Sequence, residues 1–235
     1  MKLKLITLTT DLQQPGFLKF KKSLDDHGFD YHVIFQKIPE GTHVFGTQMP
    51  LVYEYLKELQ AAGEYTHVIY ADAWDSLILG TWEELIDKCP GDSLDFFGSA
   101  EKACFPHPEL AASYPEAKSD WKFVNGGGWY AKISYFIEWY DKVPAVGVND
   151  QLWLTQRFLE FSHSGDWVKL DTECKIFQTT GFEGPDDFSY AANANPERYG
   201  RLINQKTATL PIIIHGNGRT DMTKVWALMP KPEKD

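Results

Sequence analysis

The sequence predicts an α/β fold, a mostly parallel sheet flanked by helices in a single domain. Three observations carry that expectation. Short β-rich apolar runs alternate with amphipathic segments through the first hundred residues, the pattern of a parallel sheet covered on both faces. The length of 235 residues suits one buried core. The composition, 43% hydrophobic and 24% charged, is ordinary globular usage.

The elements follow in order. Leu3 to Thr9 reads as a buried strand. Pro15 opens a helix whose Phe17, Phe20 and Leu24 recur at spacings of three and four, and Gly28 stops it. Tyr31 to Phe35 is a second strand. Leu51, Val52, Tyr55, Leu56 and Leu59 mark an amphipathic helix. Thr66 to Ala71 is a third strand that ends abruptly at Asp72. Trp82 to Ile86 leads into a helix, and Leu94 to Ser99 is another strand.

Beyond residue 100 the alternation loosens. Lys102 to Asp120 is rich in Pro, Ala and His and reads as a surface loop. Lys122 to Ala131 is a strand interrupted by Gly126, Gly127 and Gly128. Ile133 to Tyr140 and Asp150 to Phe161 are helical. Phe182 to Asn195 reads as a second long loop, and Leu210 to Ile214 as a strong strand. Residues 1–229 are expected to form the domain, with 230–235 a frayed tail.

Charge narrows the partners. Lys and Arg total 23 against 33 Asp and Glu, a net charge of −10. Binding along a nucleic-acid backbone needs clustered cations, so no nucleic acid is expected. A nucleotide diphosphate is compatible, because a bound cation supplies positive charge locally. Cys89, Cys104 and Cys174 form no C-x-x-C pair, which argues against a zinc cluster. Reduced thiols are expected, with a single Cys104–Cys174 bridge the alternative. No apolar run approaches the ~20 residues of a membrane-spanning helix, and MKLKLITLTT reads as a strand rather than a leader. The expected compartment is the cytoplasm, of microbial or viral origin.

Chemistry concentrates at a few strand ends. Ala71-Asp72-Ala73-Trp74-Asp75 delivers two carboxylates at the C-terminal end of an apolar strand, where ligands of open α/β sheets bind. Carboxylates held close repel unless a cation or donor lies between them. The pair reads either as a Mg²⁺ or Mn²⁺ site completed by phosphate oxygens or as caps of the next helix. His215-Gly216-Asn217-Gly218 follows a second apolar strand. If His215 joins the aspartates, imidazole favours Mn²⁺ over Mg²⁺. The bland alternative is a His in a tight turn.

Phe123 to Tyr130 contains three consecutive glycines, which suit close approach of a sugar to the backbone or a bulge. Val148-Asn149-Asp150-Gln151 heads a helix. Asp150 serves there as a cap or as a carboxylate toward a sugar. Glu101 ends the Leu94 strand and either binds hydroxyls or merely terminates the strand. Among 8 Trp, 11 Tyr and 15 Phe, the residues Trp74, Phe105, Trp129 and Trp153 lie within or beside these elements. Each reads as core or as a platform for a uracil or sugar ring.

The order of these signals is more specific than any one of them. The stretches Ile6–Thr10, Tyr70–Asp75, Ser99–Glu101, Tyr114–Glu116, Phe123–Gly127, Asn149–Leu152, Leu170–Asp171, Lys175–Gln178 and Leu210–Gly218 together resemble the glycosyltransferase domain of procollagen lysyl hydroxylases. The resemblance runs from the first strand almost to the chain end. It implies a GT-A (Rossmann-like) fold, a UDP-sugar donor, Mn²⁺, and transfer of glucose or galactose with retention to a hydroxyl acceptor, of hydroxylysine type in that family. It further implies Asp72, Asp75 and His215 as metal ligands, Thr10 near the uridine, Trp74 in place of a stacking Tyr, and Gly216 and Asn217 at the diphosphate. Glu101 is expected at substrate hydroxyls. Asp150, with Asn149 and the Asn125 region, is the expected catalytic carboxylate.

Four departures stand out. The family's run of aspartates before Gln-Leu is reduced to Asp150. Its Asn-Ser-Gly-Gly reads Asn-Gly-Gly-Gly. A Trp after Ser-Ala-Glu becomes Phe105, and no Lys lies between Met49 and Tyr53. Two other classes fit parts of the pattern: a metal-dependent phosphohydrolase sharing the acidic strand end, and a catalytically degenerate sugar-nucleotide or glycan-binding module.

Overall fold

The structure, a computed structural model, describes residues 1–37, 46–145, 147–163, 165 and 167–231. Strand β1 (Leu3–Thr9) lies between β2 (Tyr31–Phe35) and β3 (His67–Ala71), parallel to both. The helices α1 (Pro15–Asp26) and α2 (Gln48–Ala62) make the two crossovers. The sheet continues through β6 (Phe123–Lys132), β5 (Phe96–Glu101) and β7 (Val168–Leu170), in the order β2-β1-β3-β6-β5-β7. Only β6 runs against its neighbours. The C-terminal ends of β1, β3 and β5 therefore share one edge with the start of β6.

Local chemistry explains these elements. Gln14 caps α1 by accepting the Phe17 N–H, and Pro15 occupies the first turn, where no N–H is needed. Thr81 caps α3 (Trp82–Lys88) through the Glu84 N–H. In β3, alternate residues enter opposite layers, as strand geometry dictates. Val68 and Tyr70 join Val52 and Leu56 of α2 and Phe136 of α4 (Ile133–Lys142). Ile69 and Ala71 join Phe20 and Leu24 of α1.

A second, three-stranded sheet closes the active edge. It comprises β4 (Ser76–Ile78), β11 (Ile213–His215) and β8 (Phe177–Thr179). Strand β11 is antiparallel to β4 and parallel to β8. Helix α5 (Asp150–Ser162) packs on β6 from the other side.

Several boundaries differ from the sequence expectation. The Phe182 to Asn195 segment contains strand β9 (Phe188–Ala191), paired with β10 (Arg201–Asn204). Flanking Gly, Pro, Asp and Asn hid that short strand. The Lys102 to Asp120 loop contains a 3₁₀ turn at Pro108–Ser113. The Leu210 strand starts three residues later than expected, after Pro211, which has no N–H to donate. Strand β6 is continuous through the glycines, but its ladder with β5 breaks register across them, from Gly98–Trp129 to Ala100–Val124. The expected tail is held at Lys231, whose N–H donates to the Pro196 carbonyl at 3.1 Å; its last residues, 232–235, lie outside the described residues. A four-residue helix, α6 (Thr223–Trp226), precedes it. All three cysteines are free thiols. Among the described residues no helix is long and apolar enough to cross a membrane.

Candidate active site

The Asp72–Asp75 turn joins two sheets. The Asp72 N–H donates to the Gly127 carbonyl at 3.0 Å, extending the β3–β6 ladder by one rung. The chain then turns into β4, where Ser76 pairs with His215. The Gly216 N–H donates to the Asp75 carbonyl at 2.7 Å. Backbone pairing alone thus brings residues 140 positions apart together.

Their side chains converge. Asp72, Asp75 and His215 offer ligand atoms that all lie within 4.8 Å of one another. His215 Nε2 is 3.4 Å from Asp72 Oδ2 and 3.4 Å from Asp75 Oδ1. The other ring nitrogen, Nδ1, lies 2.9 Å from Asn125 Oδ1. That oxygen also accepts the Gly127 N–H at 3.1 Å, so it is an acceptor and the imidazole Nδ1–H must donate. Nε2 is left facing the carboxylates, the nitrogen a metal ion would take in place of a proton. Asp72 is fixed in turn: the Tyr70 hydroxyl donates to its Oδ1 at 2.9 Å, leaving Oδ2 toward His215.

Electrostatics agree with a cation site. Burial opposes charge on the His215 ring, yet Asp75 and Asp72 prevail and push its pKa up to about 9. Burial also raises the Asp72 carboxyl, outweighing His215. Asp75 is penalised by burial, but His215 brings it below the usual carboxylate range. A protonated imidazole offsets part of the carboxylates' negative charge here, the task a divalent ion would perform more fully. Imidazole plus two carboxylates suits Mn²⁺ better than Mg²⁺.

Gly127 floors this triad. A Cβ there would meet His215 Cε1 at 2.1 Å and Asp72 Oδ2 at 2.7 Å. Any larger residue would displace His215 or Asp72. Gly127 therefore serves close approach of the Asp72 and His215 side chains.

The remaining candidates lie around the triad. Glu101 is buried at the end of β5. Its Oε2 accepts Asn217 Nδ2 at 2.5 Å, and its Oε1 accepts Gln151 Nε2. Burial raises the Glu101 pKa against those donors. Asn217 Oδ1 accepts the Gly181 N–H at 2.6 Å. Gly216 lies against Met222 and Asp75. Thr10 follows β1 at the same edge. Its neighbour Thr9 makes the contact to Trp74, accepting the indole N–H at 2.9 Å.

Asn149 and Asp150 divide their roles. Asn149 caps α5, its Oδ1 accepting the Leu152 N–H at 3.0 Å. Asn125, expected near the reacting carbon, accepts a hydrogen bond from His215. Asp150 is 8% exposed, and its Oδ1 has no hydrogen-bond partner among the described residues. Burial pushes its pKa up to about 6, against backbone N–H groups of Gly46 and Met49. An orphaned buried acceptor is uncommon outside functional sites.

Sequence reasoning missed Tyr70, Thr9 and Gln151 as parts of the site. Tyr70 had a signal: it lies two residues before Asp72 and so on the same strand face. Trp129 and Trp153 are core, stacked or tilted against Phe136.

Known proteins bear on this arrangement. A family model described as the PLOD GT domain matches residues 1–225. The procollagen-lysine,2-oxoglutarate 5-dioxygenase of Drosophila melanogaster is 31% identical over 65% of this chain and 21% of its own length. The human multifunctional procollagen lysine hydroxylase and glycosyltransferase LH3 is 28% identical over 94% of this chain and 30% of its own. An uncharacterized protein of Acanthamoeba polyphaga mimivirus is 26% identical over 86% and 43%. The chain thus spans less than half the length of these relatives. A glycosyltransferase involved in glycosylation of the major capsid of PBCV-1 has the same fold, with a TM-score of 0.56, 9% identity and 97% coverage of both chains. With a match over all but the last ten residues, the chain belongs to the family of PLOD glycosyltransferase domains.

Proposed function

We propose that this chain is a Mn²⁺-dependent glycosyltransferase that moves a hexose, glucose or galactose, from a UDP-sugar to a hydroxyl acceptor with retention. The observation that carries the reading is the Asp72, Asp75 and His215 cluster, with His215 Nε2 freed by the Asn125 contact. These three residues would hold the ion. When bound, it would supply Lewis-acid stabilisation of the departing UDP.

The chain's own groups do the rest. Trp74 presents an exposed indole for the uracil, pinned by Thr9. Gly216 and the buried Asn217 line the side where a diphosphate would lie. Asp150 keeps an unpartnered oxygen for the acceptor hydroxyl or for positive charge growing at the anomeric carbon. Its pKa of about 6 lets it act as a base near neutral pH. LH3 is named a hydroxylase and glycosyltransferase of procollagen lysine, which supports a hydroxylysine-type acceptor as one candidate.

The test is a screen of UDP-sugars with Mn²⁺, read as released UDP. One of UDP-glucose and UDP-galactose should be consumed, and chelation should stop the reaction. Calorimetry of Mn²⁺ and UDP should show binding that Asp72→Ala abolishes. Unchanged affinity in that variant would sink the metal assignment. A phosphohydrolase would instead show no preference for uridine across a nucleotide panel.

A further inference from the structure

The acceptor side of the site has a built edge that the proposed reading leaves without a task. Strand β8 runs parallel to β11, with Thr179 opposite His215. The Thr180 N–H donates to the His215 carbonyl at 2.9 Å, and the Gly181 N–H to Asn217 Oδ1. The next residue is Phe182. It is 71% exposed, and its φ is +62°. A bulky residue in that left-handed region is strained, and such strain persists where the surroundings enforce it.

The surroundings do enforce it. Gly181 is pressed against Asn217. Glu183 accepts the Tyr190 hydroxyl at 3.3 Å and lies 3.5 Å from Lys224 Nζ. The Gly184 N–H donates to Asp187, which is buried and paired with Lys102 at 2.5 Å. The loop is thus tied on both sides of Phe182, and the phenyl ring is held out into solvent.

A chain of hydrogen bonds links this ring to a second one. From Gly181 it passes through Asn217, Glu101 and Gln151 to the Phe105 carbonyl, 3.1 Å from Gln151 Nε2. Phe105 is itself 56% exposed. The two backbone segments that carry these exposed phenylalanines are therefore joined through Asn217, Glu101 and Gln151, the first two buried and the third half-buried.

Resting on the glycosyltransferase reading, we infer that Phe182 is a specificity-determining residue that, with Phe105, receives a pyranose ring of the acceptor. A pyranose offers an apolar C–H face to an aromatic ring and hydroxyls to carboxylate and carboxamide groups.

The test supplies methyl glucosides, methyl galactosides, methyl mannosides and free hydroxylysine as acceptors. The donor is whichever UDP-hexose the wild type hydrolyses. The readout is the ratio of hexosyl transfer to donor hydrolysis, which a misfolded fraction does not change. With the best hexoside, Phe182→Ala should lower this ratio at least tenfold, and Phe182→Tyr should retain it. Phe182→Gly should lower the ratio too while raising the melting temperature, because glycine removes the left-handed strain. A ratio within twofold of wild type in Phe182→Ala overturns the inference. So does wild-type transfer to hydroxylysine but to no hexoside, or a lowered melting temperature in Phe182→Gly. A wild type that fails to bind UDP with Mn²⁺ overturns the underlying reading, and the inference with it.

Discussion

His215 donates its Nδ1–H to Asn125, 90 residues away in sequence and 2.9 Å away in space. The contact sets the tautomer that turns Nε2 toward Asp72 and Asp75. Partners of this kind typically contribute 10- to 100-fold to metal affinity. Asn125→Ala should therefore weaken Mn²⁺ binding by roughly that factor. Asn125→Asp keeps an acceptor and should weaken it less. Calorimetric titration with Mn²⁺ and UDP checks both, and equal affinities in all three proteins would refute the role.

Gly127 makes a sharper demand. An alanine Cβ would lie 2.1 Å from His215 Cε1. The nearest atoms belong to the His215 ring and the Asp72 carboxylate, so relief must come at the proposed metal site. Gly127→Ala should abolish measurable Mn²⁺-dependent UDP binding. Overpacking of this kind costs about 1–3 kcal/mol, so the melting temperature should fall by several degrees without loss of fold. Circular dichroism and calorimetry together separate the two effects.

The proposed role of Asp150 sets activity and stability against each other. Its carboxyl titrates at about 6 in the fold, above the ordinary 3.8. The folded state therefore holds a proton that the unfolded chain releases between those values. Stability falls as pH rises from about 4 to 6, and above 6 the buried charge costs up to about 3 kcal/mol. Asp150→Asn should raise the melting temperature at pH 7.5 and leave it nearly unchanged at pH 4. The same variant should lose transfer activity at least 100-fold. Wild-type activity should climb through pH 6 as the carboxylate forms. A variant that is both less stable at pH 7.5 and fully active would contradict this account.

The legible parts of this protein were those written in contiguous residues. Strands β1 and β3 are mostly apolar because both their faces are buried, and each reads directly from the chain. The D-x-x-D and His-Gly-Asn-Gly segments stood out because chemistry follows abruptly on such strands. Their meeting was less legible. It depends on β4 and β11, three residues each in the fold, too short to show a period. The Asn125–His215 and Asn217–Glu101 bonds span 90 and 116 residues and have no local signature. Strand β9 was masked by its turn-rich neighbours, and Phe182 looked like any loop residue until its backbone angle and tethers were known.

Trp74 shows how a local motif and a distant contact combine. Its carbonyl is pressed so closely on Gly16 that a Cβ there would lie 1.7 Å away. Its indole N–H is held by Thr9 Oγ1, whose own hydrogen goes to the Asp11 carbonyl at 3.0 Å. The ring is thus fixed at both ends yet 43% exposed. Stacking of a base on an aromatic ring is worth about 1–3 kcal/mol. Trp74→Ala should weaken UDP binding about 10- to 100-fold, while Mn²⁺-dependent binding of inorganic pyrophosphate, which has no base, changes far less. Trp74→Phe keeps a ring but loses the Thr9 anchor, so it should fall between the two. Equal losses for UDP and pyrophosphate would place Trp74 in support of the Asp72–Asp75 turn rather than under the uracil.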